Sequence, residues 1–187
     1  MGKLDEKMME IINNAELKRK AGAVVNTSVI NLTAESWSKY GEVIEIPTQN
    51  PALSLPFCKF WPSLMRYKVE GGIADIGIAT VSYREGILPM LERHKATEIT
   101  VLIDGDIIMP VAPAKDLENP EAQVNPEEVE IFYVHQKQTF TMKPGVWHWA
   151  PWSPSDKPVS MLVFLTKDTF YNDVQLSILD KIVKFNI

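Results

Sequence analysis

The sequence predicts a mostly β domain, on three observations. Thirteen prolines and nine glycines lie scattered between short runs of Val, Ile, Tyr and Phe, the punctuation of short strands joined by turns rather than of a helix bundle. A length of 187 residues suffices to bury a hydrophobic core without disulfides or metals. Neither an internal repeat nor a low-complexity tract divides the chain, so residues 1–22 are expected to form a helical arm and residues 23–187 a single domain.

Composition also bounds the function. The single cysteine, Cys58, cannot form an internal disulfide, and no basic start with an apolar run and a cleavage site opens the chain. A reduced, cytoplasmic protein is the expectation. No apolar segment approaches the roughly 20 residues needed to span a bilayer. A formal charge of -5 disfavours a general nucleic-acid surface. Small-molecule chemistry is therefore expected, with neither membrane nor nucleic acid as partner.

Taken in order, residues 4–20 carry Leu4, Met8, Ile11, Ile12, Ala15 and Leu17 near a helical period, with acids early and bases late as the helix dipole favours. This helix either packs on its own domain, the favoured reading, or serves as a dimer arm. Residues 24–32 alternate loosely as a strand. Thr33 is a suitable N-cap for a short helix closed by Gly41, and residues 42–46 return to strand. Residues 47–62 hold four prolines and read as loop, with Phe57, Phe60 and Trp61 against the core or a subunit contact and Cys58 buried and structural. Residues 64–69 and 73–83 read as strands joined by a Gly71-Gly72 hairpin turn. One face of the second is apolar apart from two hydroxyls, and the other offers Asp75 and Tyr83 to a cavity or to water.

Strands are expected at 99–103 and 107–111, with Asp104-Gly105-Asp106 as a hairpin turn. The acidic, proline-rich stretch 112–128 reads as an exposed loop with no chemistry assigned. Strands follow at 129–134, 138–142 and 159–166, and the tail 174–187 closes as helix or strand.

The chemistry lies in residues 86–105. Gly86 is followed after five residues by Glu92, then after one by His94, after three by Glu98 and after six by Gly105. Alternate side chains of a strand share a face, so Glu92 and His94 point the same way and Arg93 the other. A turn after His94 returns Glu98 beside them, and His148, just after Pro144-Gly145, completes a cluster of four. Two imidazoles and two carboxylates suit a divalent manganese, iron, nickel or zinc ion, and the set does not choose among them. Two glutamates directed into a barrel are costly unless paired or metal-bound. By contrast His135 has no spacing partner and reads as a surface or packing residue. Trp147, Trp149 and Trp152 either line the wall or stack on substrate.

This spacing resembles the first cupin motif, G-x5-H-x-H-x3,4-E-x6-G, with Glu92 in place of the first histidine. Pro144-Gly145-x-x-His148 resembles the second, although Trp152 stands where asparagine is frequent. The resemblance implies a double-sheet jelly-roll barrel whose interior holds metal or substrate. A closer resemblance is to the ureidoglycolate lyase family, formerly ureidoglycolate hydrolase. It is carried by LTAESWSKYGEVIE at 32–45, Leu91-Glu92-Arg93-His94, Gly145-Val146-Trp147-His148 and MLVFLTKDTFYNDV at 161–174. What that resemblance implies is a homodimeric lyase of purine catabolism and allantoin degradation, releasing urea and glyoxylate from ureidoglycolate or acting on a related small hydroxy acid.

In that reading Glu92, His94, Glu98 and His148 hold the metal, and Glu92, His94 and His148 serve catalysis. Arg66, Lys68, Tyr83 and Trp147 are the candidates to orient the substrate. The chain departs from the family at Glu98, where the family has glutamine, and at His148-Trp149-Ala150-Pro151, where it has His-His-Pro. Lys167-Asp168-Thr169 replaces a segment with Asp-Arg and glycines. A second carboxylate makes the metal centre more orthodox, and the lost arginine weakens the fit to a carboxylate-bearing substrate. Another metal-cupin activity, a sugar-acid isomerase or an oxygenase, and a non-catalytic small-molecule binder are the alternatives.

Overall fold

A computed structural model describes residues 10, 13, 14, 22–45 and 47–187. Of the expected N-terminal helix, Glu10, Asn13 and Asn14 are helical and exposed, and the rest lies outside the described residues. The strands are β1 (Val24–Asn26), β2 (Val29–Asn31), β3 (Val43–Ile44), β4 (Leu53–Leu55), β5 (Cys58–Phe60), β6 (Ala74–Val81), β7 (Ile87–Arg93), β8 (Glu98–Leu102), β9 (Ile107–Ala112), β10 (Glu130–Val134), β11 (Thr139–Met142), β12 (Trp147–His148), β13 (Val159–Thr166) and β14 (Gln175–Lys184). Two short helices, α1 (Ala34–Trp37) and α2 (Thr169–Asn172), interrupt them.

The strands form a seven-stranded sheet in the order β1-β14-β7-β12-β9-β10-β2 and a five-stranded sheet in the order β3-β11-β8-β13-β6. The predicted strand at 24–32 is in fact two, broken at Thr27-Ser28. β1 pairs parallel with β14, and β2 pairs parallel with β10. Because only two residues separate β1 from β2, a span of roughly 10 Å, the two edges of the larger sheet must curl toward one another. This is the double-sheet jelly-roll architecture.

The centre of the larger sheet, at β7 and β9, is buried on both faces. From β9, Ile107, Met109 and Val111 join one apolar cluster with Phe132, Phe140 and Met161, whereas Ile108 and Ala112 join another with Trp147, Trp152 and Phe185. Double burial explains why the runs ILPML and IIMPVA show no polar alternation. Pro89 sits inside β7 and cannot donate to a ladder, and the register on β14 slips opposite it, between Ile178 and Val183. Gly86 sustains the other end of this pairing, because a Cβ there would lie 2.2 Å from the Phe185 carbonyl oxygen.

Thr33 caps α1 as expected, accepting from the Ser36 N–H at 3.0 Å. The helix delivers Trp37 to the core, where its Nε1–H donates to the Thr141 carbonyl at 2.8 Å. Trp37 meets Phe132 and Phe140 edge to face, which plugs one end of the space between the sheets.

Several expectations fail. The turn at Asp104-Gly105-Asp106 is not a hairpin, since β8 belongs to the five-stranded sheet and β9 to the seven-stranded one. Residues 64–69 form no strand, and Gly71 and Gly72 lie in a 3-10 turn at φ of 71° and 74°. Residues 47–62, expected to be loop, contain the β4–β5 hairpin, and Cys58 there is exposed rather than buried. Phe57 on the same hairpin is 86% exposed. On β6 it is Ala79 and Val81 that pack toward the core, while Ile76 and Ile78 of the more apolar face are exposed. The tail closes as strand β14.

Candidate functional site

The site forms where the two sheets face each other beyond the aromatic plug. Glu92 near the end of β7 and His148 of β12 are direct cross-strand partners in the larger sheet. Glu98 and Thr100, two apart on β8, reach the same space from the smaller one. His94 follows β7 in the connecting turn. Gly145, at φ 78°, a left-handed value that favours glycine, donates its N–H to the His94 carbonyl at 2.8 Å. That bond ties the two sequence segments together.

Both imidazoles have the same polarity. His94 Nδ1 lies 2.8 Å from the Ala96 carbonyl and His148 Nδ1 lies 3.0 Å from the Val146 carbonyl, so each Nδ1 carries the proton and donates. Each Nε2 then faces Glu98 Oε2, at 3.2 Å from His94 and 3.5 Å from His148. Thr100 Oγ1 donates to the other oxygen, Oε1, at 3.0 Å. His94, Glu98 and His148 are all buried, and their ligand atoms lie within 4.8 Å of one another.

In the neutral tautomers, two lone pairs and a carboxylate oxygen converge with no donor between them. A cation resolves this conflict, and a divalent metal suits two imidazoles and a carboxylate. The donor set therefore fits a metal ion, and it comprises His94, Glu98 and His148 of the four residues that the spacing put forward. Without one, a proton takes the place. Burial alone would lower the His148 pKa, but the hydrogen bond and charge of Glu98, with Glu92 and the Val146 carbonyl, raise it to about 9. Burial pushes the Glu98 carboxyl up, and hydrogen bonds to His148 and His94 outweigh it and hold Glu98 well below the ordinary carboxylate range. Glu92 stands outside the tight cluster, and burial, with Glu98's charge adding, raises its pKa against the pull of both histidines.

Glu92, Glu98, Thr100 and His148 open into a cavity of about 710 Å³, within the range of small-molecule sites. Met109 and Met161 form its boundary with the packed core, and Trp149 also lines it. Its remaining walls come from β6, β13, Ala150-Pro151 and α2 with the Asp168 that precedes it.

The residues expected to orient a substrate lie elsewhere. Arg66, Lys68 and Tyr83 are exposed and do not line the cavity. Trp147 is buried in the other apolar cluster, with the Arg93 guanidinium 4.5 Å from its ring centre. Arg93 itself is 1% exposed. It donates to the carbonyls of Lys115, Asp116 and Asn119, so it pins the acidic loop to the back of the sheet. The alternation that aimed Glu92 and His94 inward also aimed Arg93 outward, but nothing in the sequence showed that a loop would cover it. Thr100 could have been found, since it shares a strand face with Glu98.

A curled double sheet with an inward cluster of histidine and glutamate defines a cupin-type jelly roll. The chain belongs to the family described as Domain of unknown function (DUF4867), whose model matches residues 63–181 and so takes in every residue of the cluster. No curated protein matches. Similar solved structures include RmlC from Streptococcus suis in complex with dTDP-D-xylose, at 11% identity over 52% of this chain and 46% of that one, with a TM-score of 0.38. Oxalate decarboxylase from Bacillus subtilis, studied for its Mn(II) centres, is similar at 18% identity over 55% of this chain and 23% of that one, with a TM-score of 0.38. The chain spans less than half the length of either.

Proposed function

We propose that the protein is a divalent-metal-dependent enzyme that performs acid–base chemistry on a small hydroxylated substrate held between its two sheets. The observation that supports this reading is the convergence of two buried Nε2 lone pairs on Glu98 Oε2, at 3.2 and 3.5 Å. His94, Glu98 and His148 would hold the ion, with Glu92 within reach of the same space. When bound, the ion supplies Lewis-acid polarisation of a substrate oxygen.

Glu92 is the residue placed to move the proton. It lines the cavity, it is opposite His148, and burial raises its pKa above the ordinary carboxylate value, the direction that suits a carboxyl which must return a proton as well as accept one. Thr100 holds Glu98 in place, and the apolar walls around Met109, Met161 and Trp149 limit the water that competes for that proton.

Cleavage of ureidoglycolate is the finer reading, and the sequence resemblance is what supports it. In that reaction Glu92 would take the hydroxyl proton as the aldehyde of glyoxylate forms and the carbon–nitrogen bond breaks, then return a proton to the departing urea nitrogen. Metal analysis of the purified protein for manganese, iron, nickel and zinc, followed by assays for urea and glyoxylate, tests both levels. Stoichiometric metal that is lost in His94→Ala is the expected result, and unchanged metal content in that variant would overturn the centre. A set of two histidines and one carboxylate also suits an oxygenase, which oxygen uptake would reveal. Tight ligand binding without turnover would mark a binding protein instead.

A further inference from the structure

Apart from His148 of the candidate metal centre, the ionisable side chains along the cavity are all acidic. Asp75, Glu92, Glu98 and Asp168 line it, and among the described residues no lysine or arginine does. Among the described residues His148 is the one basic group in the lining, and it belongs to the candidate metal centre. With a divalent ion in place, Glu92 and Glu98 formally cancel its charge. Asp75 and Asp168 then leave the mouth negative, with Lys167 Nζ 3.7 Å from Asp168 Oδ2 but outside the lining.

The two acids are set side by side, because the Asp168 N–H donates to Asp75 Oδ2 at 2.7 Å. Beside them Phe170 and Tyr171 stand edge to face, 5.3 Å apart and 60% and 81% exposed. Both rings line the cavity and are open to a molecule entering it. Carboxylates accept hydrogen bonds from hydroxyls, while aromatic faces and aliphatic walls cover C–H surfaces. Away from the metal site, a substrate carboxylate beside Asp75 and Asp168 would meet like charge, and the lining offers it no guanidinium or ammonium there.

We infer that the cavity selects a neutral polyhydroxylated molecule, a free monosaccharide or polyol, over the hydroxy acid of the same skeleton. The inference rests on reading this cavity as the active site, but the acids and aromatics that carry it lie apart from the metal cluster. It points to rearrangement of a sugar hydroxyl or carbonyl rather than to cleavage of an acid.

The test is calorimetric binding of neutral compounds and their acids to the full chain: aldopentoses, aldohexoses, their ketoses and polyols, each paired with its aldonate. At least one neutral compound is expected to bind at least tenfold more tightly than its acid. The Asp75→Asn/Asp168→Asn variant keeps the oxygen that receives the Asp168 N–H, and should narrow that ratio about tenfold by removing the repulsion. Phe170→Ala, at an exposed position, should weaken the neutral ligand severalfold. Acids binding as tightly as their neutral partners, or no neutral compound binding at all, would overturn the inference. Metal content measured on the same preparation separates the two readings: sugar binding by protein that takes up no metal sinks the metal centre alone, and acid preference by metal-replete protein sinks the substrate class alone.

Discussion

Thr100 donates its hydroxyl to Glu98 Oε1 at 3.0 Å, while Oε2 of the same carboxylate is the atom both imidazoles face. One oxygen is thus held by the strand so that the other is aimed. Thr100→Val removes the hydroxyl with little change in shape. Metal affinity should fall about 10–100-fold, read by competition with a chromophoric chelator, and the metal-free protein should lose about 1–2 kcal/mol. Unchanged affinity would mean that Glu98 is aimed by the histidines alone.

Arg93, at the end of β7, secures the loop behind the larger sheet. Its guanidinium serves the carbonyls of Lys115, Asp116 and Asn119, and its Nε donates to Gln175 Oε1 at 3.0 Å. Arg93→Met fills much of the volume but strands those acceptors in a buried place. A loss of about 3 kcal/mol is expected, together with faster proteolysis within residues 113–125. Wild-type cleavage rates there would show that the loop is held by its own contacts.

Acid stability should depend on Asp106. Burial pushes this carboxyl up, but the Gln136 N–H and the Tyr133 hydroxyl, both donating at 2.8 Å, with His135 alongside, outweigh it and depress the pKa. A depressed carboxyl contributes stability that is complete above its unfolded pKa of about 3.9 and lost as pH falls through the folded value. Asp106→Asn should therefore cost about 1 kcal/mol at neutral pH, discounted for partial exposure. The melting-temperature gap to wild type should begin to shrink as pH falls below about 3.9 and close only below the depressed folded value. A gap that persists at pH 2 would mean that the lost interaction is not the charge.

What was legible in the sequence is what the period of a strand decides. Glu92 and His94 share a face because side chains alternate, and Glu98 lies near them because a short turn leaves it little choice. Partnership between strands was not legible. Asp104-Gly105-Asp106 has the composition of a turn, which says nothing about which sheet the next strand joins, and here the chain changes sheets. Arg66 and Lys68 were expected to reach the substrate from a strand at 64–69 that does not form. The mouth was half legible. Alternation along β6 offered Asp75 to a cavity or to water without choosing between them. Asp168 arrives there through a left-handed turn at φ 61° that no local pattern announces.

The sharpest separation of roles lies between Glu98 and Glu92. Glu98 is in the tight cluster, with its pKa held down, and so is bound to remain a carboxylate that faces the two Nε2 atoms. Glu92 lines the cavity outside that cluster, with its pKa pushed up. Glu98→Gln should thus abolish stoichiometric metal uptake, because an amide in that position can no longer balance the ion's charge. Glu92→Gln should retain most of the metal and lose turnover by about 10²–10⁴-fold, the usual contribution of a positioned acid–base group. The pair of variants is read by metal analysis and by activity on whichever substrate the binding survey identifies. Loss of metal in Glu92→Gln to the same extent as in Glu98→Gln would make Glu92 a ligand, and the proton would then have to be moved by another group.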